Sequence, residues 1–436
     1  MNSLKNMLRG NVRQYGMVIA LAAIVLLFQI LTDGVLLRPL NLSNLLTQNS
    51  YILILAIGMV MVIIARHIDL SVGSVAAFVG AVAAIMMTSW NVPWFLAVPL
   101  CLGLGGLIGA WHGFWVAYVG IPAFIVTLAS MLLFRGLTLV VLEGKTVGGL
   151  PEPFEAMGNG FLPEVGPDTG LHNLTLLLAL ALSAFVVYTE FRRRTSAAKY
   201  NFDVLPMPAF LVKLAIEVAV IMAFAYLLSQ YRGLPVVGLI LFALIAIYSF
   251  IMQRTIFGRH IYAIGGNVDA ATMSGVRTRR VDFLVMTNMG VLAALAGMVF
   301  AARLTAANPK AGTNFELDAI AAAFIGGAAV TGGVGTVVGA IIGGFVMGVL
   351  NNGMSILGVG IDWQQAIKGL VLLAAVAFDV YNKKRASVGG GAGAESKEAA
   401  APPPPDLENL DTGTPETVVA GSSAGASGLG SAESRT

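Results

Sequence analysis

Residues 253–281 concentrate side chains that could do chemistry. Arg254, Arg259, Arg277, Arg279 and Arg280 surround the string Asp269-Ala270-Ala271-Thr272-Met273-Ser274-Gly275. The flanking segments are apolar, so this polar stretch is a loop between membrane-directed runs. A basic loop with an Ala-Ala pair and a spaced Gly suits docking rather than catalysis, and it points to a protein partner on the cytosolic side.

A second kind of chemistry is expected where the apolar pattern breaks. Backbone groups exposed at membrane depth are tolerated only around a protected cavity, which is where transport sites are built. In the first half Arg66-His67-Ile68-Asp69-Leu70-Ser71-Val72-Gly73-Ser74 interrupts a long apolar stretch, with Asp69 or Ser71 placed to cap the following helix. In the second half Gly326-Gly327 and Thr331-Gly332-Gly333-Val334-Gly335 do the same. An ordinary capped turn accounts equally for the first break, and close helix packing for the second. Asp69, Ser71, Ser74, Asn314, Asn351 and Asn352 are the candidates for a weakly polar translocation path.

Ionisable residues inside apolar runs are functional candidates by default. Lys213 and Glu217 lie four apart on one helix, where a structural pair is favoured over a proton relay. Arg135 needs a partner that the sequence does not name, and Glu316 and Asp318 lie near an outer helix entry. Trp111 and Trp115 share a face and Trp90 and Trp94 flank a turn. An interfacial belt explains them better than sugar stacking.

Other signals exclude functions. Gly144-Lys145-Thr146 ends like a phosphate-binding loop, but Leu139 stands where its first Gly is required, so the chain has no nucleotide site of its own. His67, His112, His172 and His260 lack paired metal spacing, and no metal is expected. Cys101 is the single cysteine, which rules out a disulfide framework. The sequons at Asn41 and Asn173 match by chance. Gly105, Gly109 and Gly113, like Gly335, Gly339 and Gly343, form small-residue faces for close helix packing, with a homodimer contact as the alternative.

The elements that must position these groups follow from composition. With 57% hydrophobic and 11% charged residues in 436, and a mean hydropathy of +0.82, the chain is an integral membrane protein. The net charge of +3 gives no reason to expect nucleic acid. Apolar runs near 20 residues predict spanning helices rather than barrel strands. About twelve are read: 16–32, 51–65, 71–89, 94–118, 122–142, 171–191, 210–230, 234–252, 282–303, 317–330, 334–351 and 364–381. Merging two short neighbours would give about ten.

The first run is read as a retained anchor rather than a cleaved signal. Basic residues at the N-terminus, at 192–199, at 253–281 and at Lys383-Lys384-Arg385 fall on one side after alternate passes, which makes both termini cytoplasmic. The loop 144–170 is mainly acidic, as expected outside. The fold class is therefore all-α, a polytopic helical bundle over 1–385. Residues 386–436, rich in Gly, Ala, Pro and Ser, are expected to be a disordered cytosolic tail.

Four strings then carry a resemblance. They are His67-Ile68-Asp69-Leu70-Ser71-Val72-Gly73-Ser74, Gly120-Ile121-Pro122-Ala123-Phe124-Ile125-Val126-Thr127-Leu128, Ala263-Ile264-Gly265-Gly266-Asn267 with Ala270-Ala271 and Ser274-Gly275, and Phe315-Glu316-Leu317-Asp318-Ala319-Ile320-Ala321 leading to Ile325-Gly326-Gly327. Together they resemble permease subunits of the ribose/xylose class of bacterial sugar ABC importers, over most of 1–385. The additional spans around 192–199 make the chain similar to the longer xylose or multiple-monosaccharide permeases.

The resemblance implies a non-enzymatic permease in the bacterial inner membrane that forms the path for a monosaccharide such as xylose. It also implies a second permease copy, an extracytoplasmic sugar-binding protein, contact with membrane lipid, and a cytosolic ATPase with tandem nucleotide-binding domains. ATP would be bound by that partner, and no cofactor is expected here. Asp269-Ala270-Ala271 to Gly275 is similar to the family's Glu-Ala-Ala coupling motif, with Asp for Glu. Arg259, Gly265, Asn267, Arg277 and Arg279 complete the expected coupling loop. The rival class is an ion-coupled secondary sugar carrier that would use Asp69 or the Lys213/Glu217 pair.

Overall fold

A computed structural model describes residues 12–167, 170–200 and 204–398. Its helices are α1 (Val12–Leu31), α2 (Pro39–Ile64), α3 (Val72–Thr88), α4 (Trp94–Phe114, continued by a π turn over Trp115–Val119), α5 (Ala123–Val141), α6 (Glu152–Asn159), α7 (Asn173–Lys199), α8 (Met207–Ser229) and α9 (Val236–Arg254). There follow α10 (Ile256–Gly266), α11 (Val268–Met273), α12 (Thr278–Leu304), α13 (Phe315–Ile325), α14 (Val337–Ile356) and α15 (Ile361–Glu398). Two short strands, β1 (Val147–Gly148) and β2 (Ala306–Ala307), pair antiparallel and tie the loop after α5 to the loop after α12. The fold is all-α apart from this clasp.

Among the described residues, eight helices are long and apolar enough to cross a membrane: α2, α4 with its π turn, α5, α7, α8, α9, α12 and α14. Gly16–Leu31 and α3 are shorter apolar helices. Each run read from the sequence falls on a helix, but two runs change character. The run read as 51–65 begins at Pro39, because Asn41, Thr47, Asn49 and Ser50 dilute the hydropathy of a helix that is nonetheless continuous. The run read as 317–330 is only the 11-residue α13. At about 1.5 Å per residue it covers roughly half the hydrocarbon thickness, so α13 by itself is too short to span.

α2 is the hub. In its most apolar stretch 89% of residues are buried, against 17% in α7 and in α8, so α2 packs against protein all round while the α7/α8 pair leaves most of its apolar surface uncovered by this chain. α12 packs on α4, α3 and α2, and α13 lies against α14 and α2. Small residues permit these approaches. A Cβ at Gly105 would meet the Gly290 carbonyl, one at Gly109 would meet Met286 and Thr287, and one at Gly343 would meet the Ala322 carbonyl. The Gly105/Gly109/Gly113 face is thus filled by α12 of the same chain.

Residues Met1–Asn382 form one compact unit and Lys383–Thr436 another. Of the segment expected as a tail, the part up to Glu398 is helical and residues 399–436 lie outside the described residues.

Candidate functional site

The basic segment is built from two short helices with side-chain caps. The Thr255 hydroxyl accepts from Gly258 N at 3.2 Å to start α10. Asn267 Oδ1 accepts from Asp269 N and Ala270 N, both at 3.0 Å, to start α11. Gly275 closes that turn in the left-handed region with φ +83°.

The outward face carries Arg254, Arg259, Arg277, Arg279 and Arg280 with Asn267, Asp269, Ala270 and Gly275, all exposed. None of these arginines forms an ion pair among the described residues. Met273 stands out at 87% exposure. Gly265 and Ala271 face inward and are buried.

That inner side is keyed to both interruptions of the apolar pattern. A Cβ at Gly265 would collide with the Ile64 carbonyl oxygen and come within 2.8 Å of Gly333 Cα. Gly333 N donates to Ile64 O at 2.9 Å, and Tyr262 Oη donates to Gly335 O at 2.8 Å. Burial pushes the Tyr262 hydroxyl above its ordinary range, so it remains a donor at neutral pH. His67 Nε2 lies 3.3 Å from Asp282 Oδ1 near the start of α12. The end of α10, the end of α2 and the glycine loop before α14 therefore approach backbone to backbone at Gly265. Close packing and a chain break are both present at the second interruption.

The first interruption is more than a turn. Tyr51 stacks on Phe315 with ring centroids 3.9 Å apart, and the Cβ position of Gly73 lies 3.2 Å from Phe315 Cβ. Tyr51 precedes Ile64 by a stretch of α2 that rises about 20 Å. Residues 65–72 therefore climb back along α2 from the coupling end to the start of α13, as non-helical chain for most of the way. Asp69 and Ser71 are satisfied by local hydrogen bonds. Asp69, buried, accepts from Ser71 N at 2.8 Å and from Ser71 Oγ at 2.6 Å, and Ser74 Oγ donates to Ser71 O at 2.8 Å. Ser71 thus donates to Asp69 rather than capping α3.

Gly73 crosses Gly312 and the Glu316 carboxylate with no room for a side chain. Glu316 Oε2 is buried without a hydrogen bond among the described residues, and Arg135, Asp318 and Asp69 are the charges within its electrostatic reach. Arg135, without a named partner in the sequence, belongs to this neighbourhood.

The remaining path candidates separate. Asn314 starts α13 in the left-handed region, φ +65°, beside the Gly312 crossing. Asn352 is committed elsewhere: it exchanges amide hydrogen bonds of 2.8 and 3.1 Å with Asn41, joining α14 to α2. Its neighbour Asn351 is half-buried.

Sequence reasoning missed Lys368, whose Nζ lies 3.0 Å from Asp318 Oδ1, and Glu190, which at 2.7 Å is a nearer partner of Lys213 than Glu217 at 3.5 Å. Both pairs join different helices, and spacing along one helix does not reveal them.

These features define a multi-pass helical membrane protein whose broken segments meet a basic surface helix at Gly265 and Tyr262. Residues 41–204 and 170–376 match the family described as branched-chain amino acid transport system / permease component, BPD_transp_2. The xylose transport system permease protein XylH of Haemophilus influenzae is 42% identical over 375 residues, covering 86% of this chain and 98% of that protein. XylH of Escherichia coli is 42% identical over 378 residues, covering 86% and 94%. The ribose import permease protein RbsC of E. coli is 36% identical over 346 residues, covering 79% and 86%. No solved structure matches. The chain belongs to the BPD_transp_2 family of transport permease components.

Proposed function

We propose that the chain is the membrane-spanning permease subunit of an ATP-driven importer for a monosaccharide, with xylose as the sugar. It resides in the bacterial cell membrane with both termini in the cytoplasm. Its partners are a cytosolic ATPase carrying two nucleotide-binding halves, an extracytoplasmic sugar-binding protein, a second copy of the permease and the surrounding lipid. ATP is bound and hydrolysed by the ATPase, and this chain needs no cofactor of its own.

One observation carries the reading. A surface of exposed arginines is joined, through Gly265 and Tyr262, to the backbone of the end of α2 and of the glycine loop before α14. Force applied to α10 and α11 by the ATPase therefore reaches the end of α2 and the loop between α13 and α14 without passing through flexible side chains. Closure of the ATPase would shift these segments and alternate access to the path. The extensive likeness to the xylose permeases supports the choice of sugar.

Buried Asp69 and Glu316 near Arg135 motivate the second reading, an ion-coupled carrier. Purified permease reconstituted with the ATPase and binding protein separates the two. The importer reading expects xylose uptake that requires internal ATP and persists without an ion gradient. Uptake by the permease alone that follows a proton gradient would establish the carrier instead.

A further inference from the structure

α13, α14 and α15 enclose a cavity of about 230 Å3. Asn314, Asp318, Gln365 and Lys368 form its polar wall, and Leu317 and Met347 contribute apolar surface. The partly buried pair Asp318–Lys368 spends one carboxylate oxygen and one ammonium proton on a 3.0 Å hydrogen bond. The second oxygen and the other protons remain available as acceptor and donors. The side-chain amides of Asn314 and Gln365 make no hydrogen bond among the described residues, so each offers a further acceptor and donor pair.

Such a wall suits a polyhydroxylated ring. Each sugar hydroxyl both donates and accepts, and the C–H faces need apolar contact beside the polar groups. The space corresponds to roughly eight waters at ~30 Å3 each, enough for one pentose.

Position adds a second argument. The cavity opens at the N-terminal end of α13, and the other end of the same helix runs into the glycine loop held by Gly265 and Tyr262. A single rigid helix of about three turns, about 16 Å long, thus connects the polar cavity to the coupling surface.

We infer that this cavity is a hydroxyl-binding station for the monosaccharide in transit, with Asn314, Asp318, Gln365 and Lys368 as its donors and acceptors. The inference rests on the importer reading and specifies where the sugar pauses.

Because Cys101 is the single cysteine and is buried, an introduced cysteine can be labelled selectively. Gln365→Cys places a thiol on the cavity wall, and Leu370→Cys places one on the exposed surface of the same helix outside the cavity. The permease–ATPase complex of each variant is treated with a maleimide with and without xylose. Xylose slowing modification of Gln365→Cys at least fivefold, with Leu370→Cys unaffected, supports the station. Equal rates at Gln365→Cys overturn it, provided the wild-type complex performs ATP-driven uptake.

If Gln365→Cys fails to assemble, Leu317→Cys on the opposite wall gives the same readout under the same criterion. Absence of ATP-driven uptake by the wild-type complex would instead strike the importer reading, so the two failures are separable.

Discussion

Gly265 and Gly266 are adjacent, yet the geometry demands opposite outcomes when each becomes alanine. A methyl at Gly265 overlaps the Ile64 carbonyl oxygen, where ordinary contact needs 3.4–4 Å, while a methyl at Gly266 meets nothing within 4 Å. Both obstacles at Gly265 are backbone, so no side-chain rotation relieves the clash, and such overpacking costs about 1–3 kcal/mol. Separation of α10 from α2 also endangers the bond from Gly333 N to Ile64 O, 2.9 Å long. Leaving a buried donor unpaired adds about 1–3 kcal/mol. The contact between α10 and the glycine loop before α14 is thus weakened by roughly 2–6 kcal/mol.

If only 1.4 kcal/mol of this enters the coupling step, the ratio of sugar moved to ATP hydrolysed falls about tenfold. The assay is that ratio in proteoliposomes containing permease, ATPase and binding protein, with thermal melting as a check on assembly. Gly265→Ala is expected to lower the ratio about tenfold or more, and Gly266→Ala to leave it near wild type. A wild-type ratio in a correctly assembled Gly265→Ala complex would refute the argument.

Other perturbations probe separate contacts. Reversing Arg277 and Arg279 to Glu should weaken capture of the ATPase, most strongly at low salt, because exposed charges act through a screened field; pull-down across a salt series measures it. Asn41→Leu alone strands the buried Asn352 amide and should destabilise the detergent-solubilised protein by about 1–3 kcal/mol, whereas Asn41→Leu with Asn352→Leu should recover most of the loss in thermal melting. Tyr262→Phe removes the bond to Gly335 O and should reduce the coupling ratio severalfold, less than Gly265→Ala, since one net hydrogen bond contributes about 0.5–1.5 kcal/mol.

The helical class and the position of most helices were legible because lipid imposes a simple rule on composition. The start of α2 was not. Asn41, Thr47, Asn49 and Ser50 read as loop, yet three of these side chains bond backbone carbonyls of the same helix, with Asn49 Nδ2 at 2.8 Å from Leu45 O, and Asn41 also pairs with Asn352. Polarity satisfied within a helix is invisible to hydropathy.

The segments 66–74 and 326–335 were recognisable as breaks, but the meeting of Ile64 and Gly333 at Gly265 depends on residues distant in sequence. Local spacing found Lys213 with Glu217 and missed Glu190, the nearer partner from α7. The same limitation concealed Lys368 beside Asp318 and left Arg135 without a neighbour. Asn314 was singled out as one polar residue at a helix entry. Of the groups that share its cavity, Asp318 lies in the first turn of α13, while Gln365 and Lys368 lie on α15, distant in sequence.

The most direct test of the coupling surface uses Met273, which is 87% exposed on α11. With Cys101 buried, Met273→Cys supplies a single accessible thiol for a short cross-linker. The account predicts a cross-link to the cytosolic ATPase in native membranes, with a yield that changes when ATP is added. Labelling of that thiol by an impermeant reagent from the extracytoplasmic face, with no cross-link to the ATPase, would contradict it.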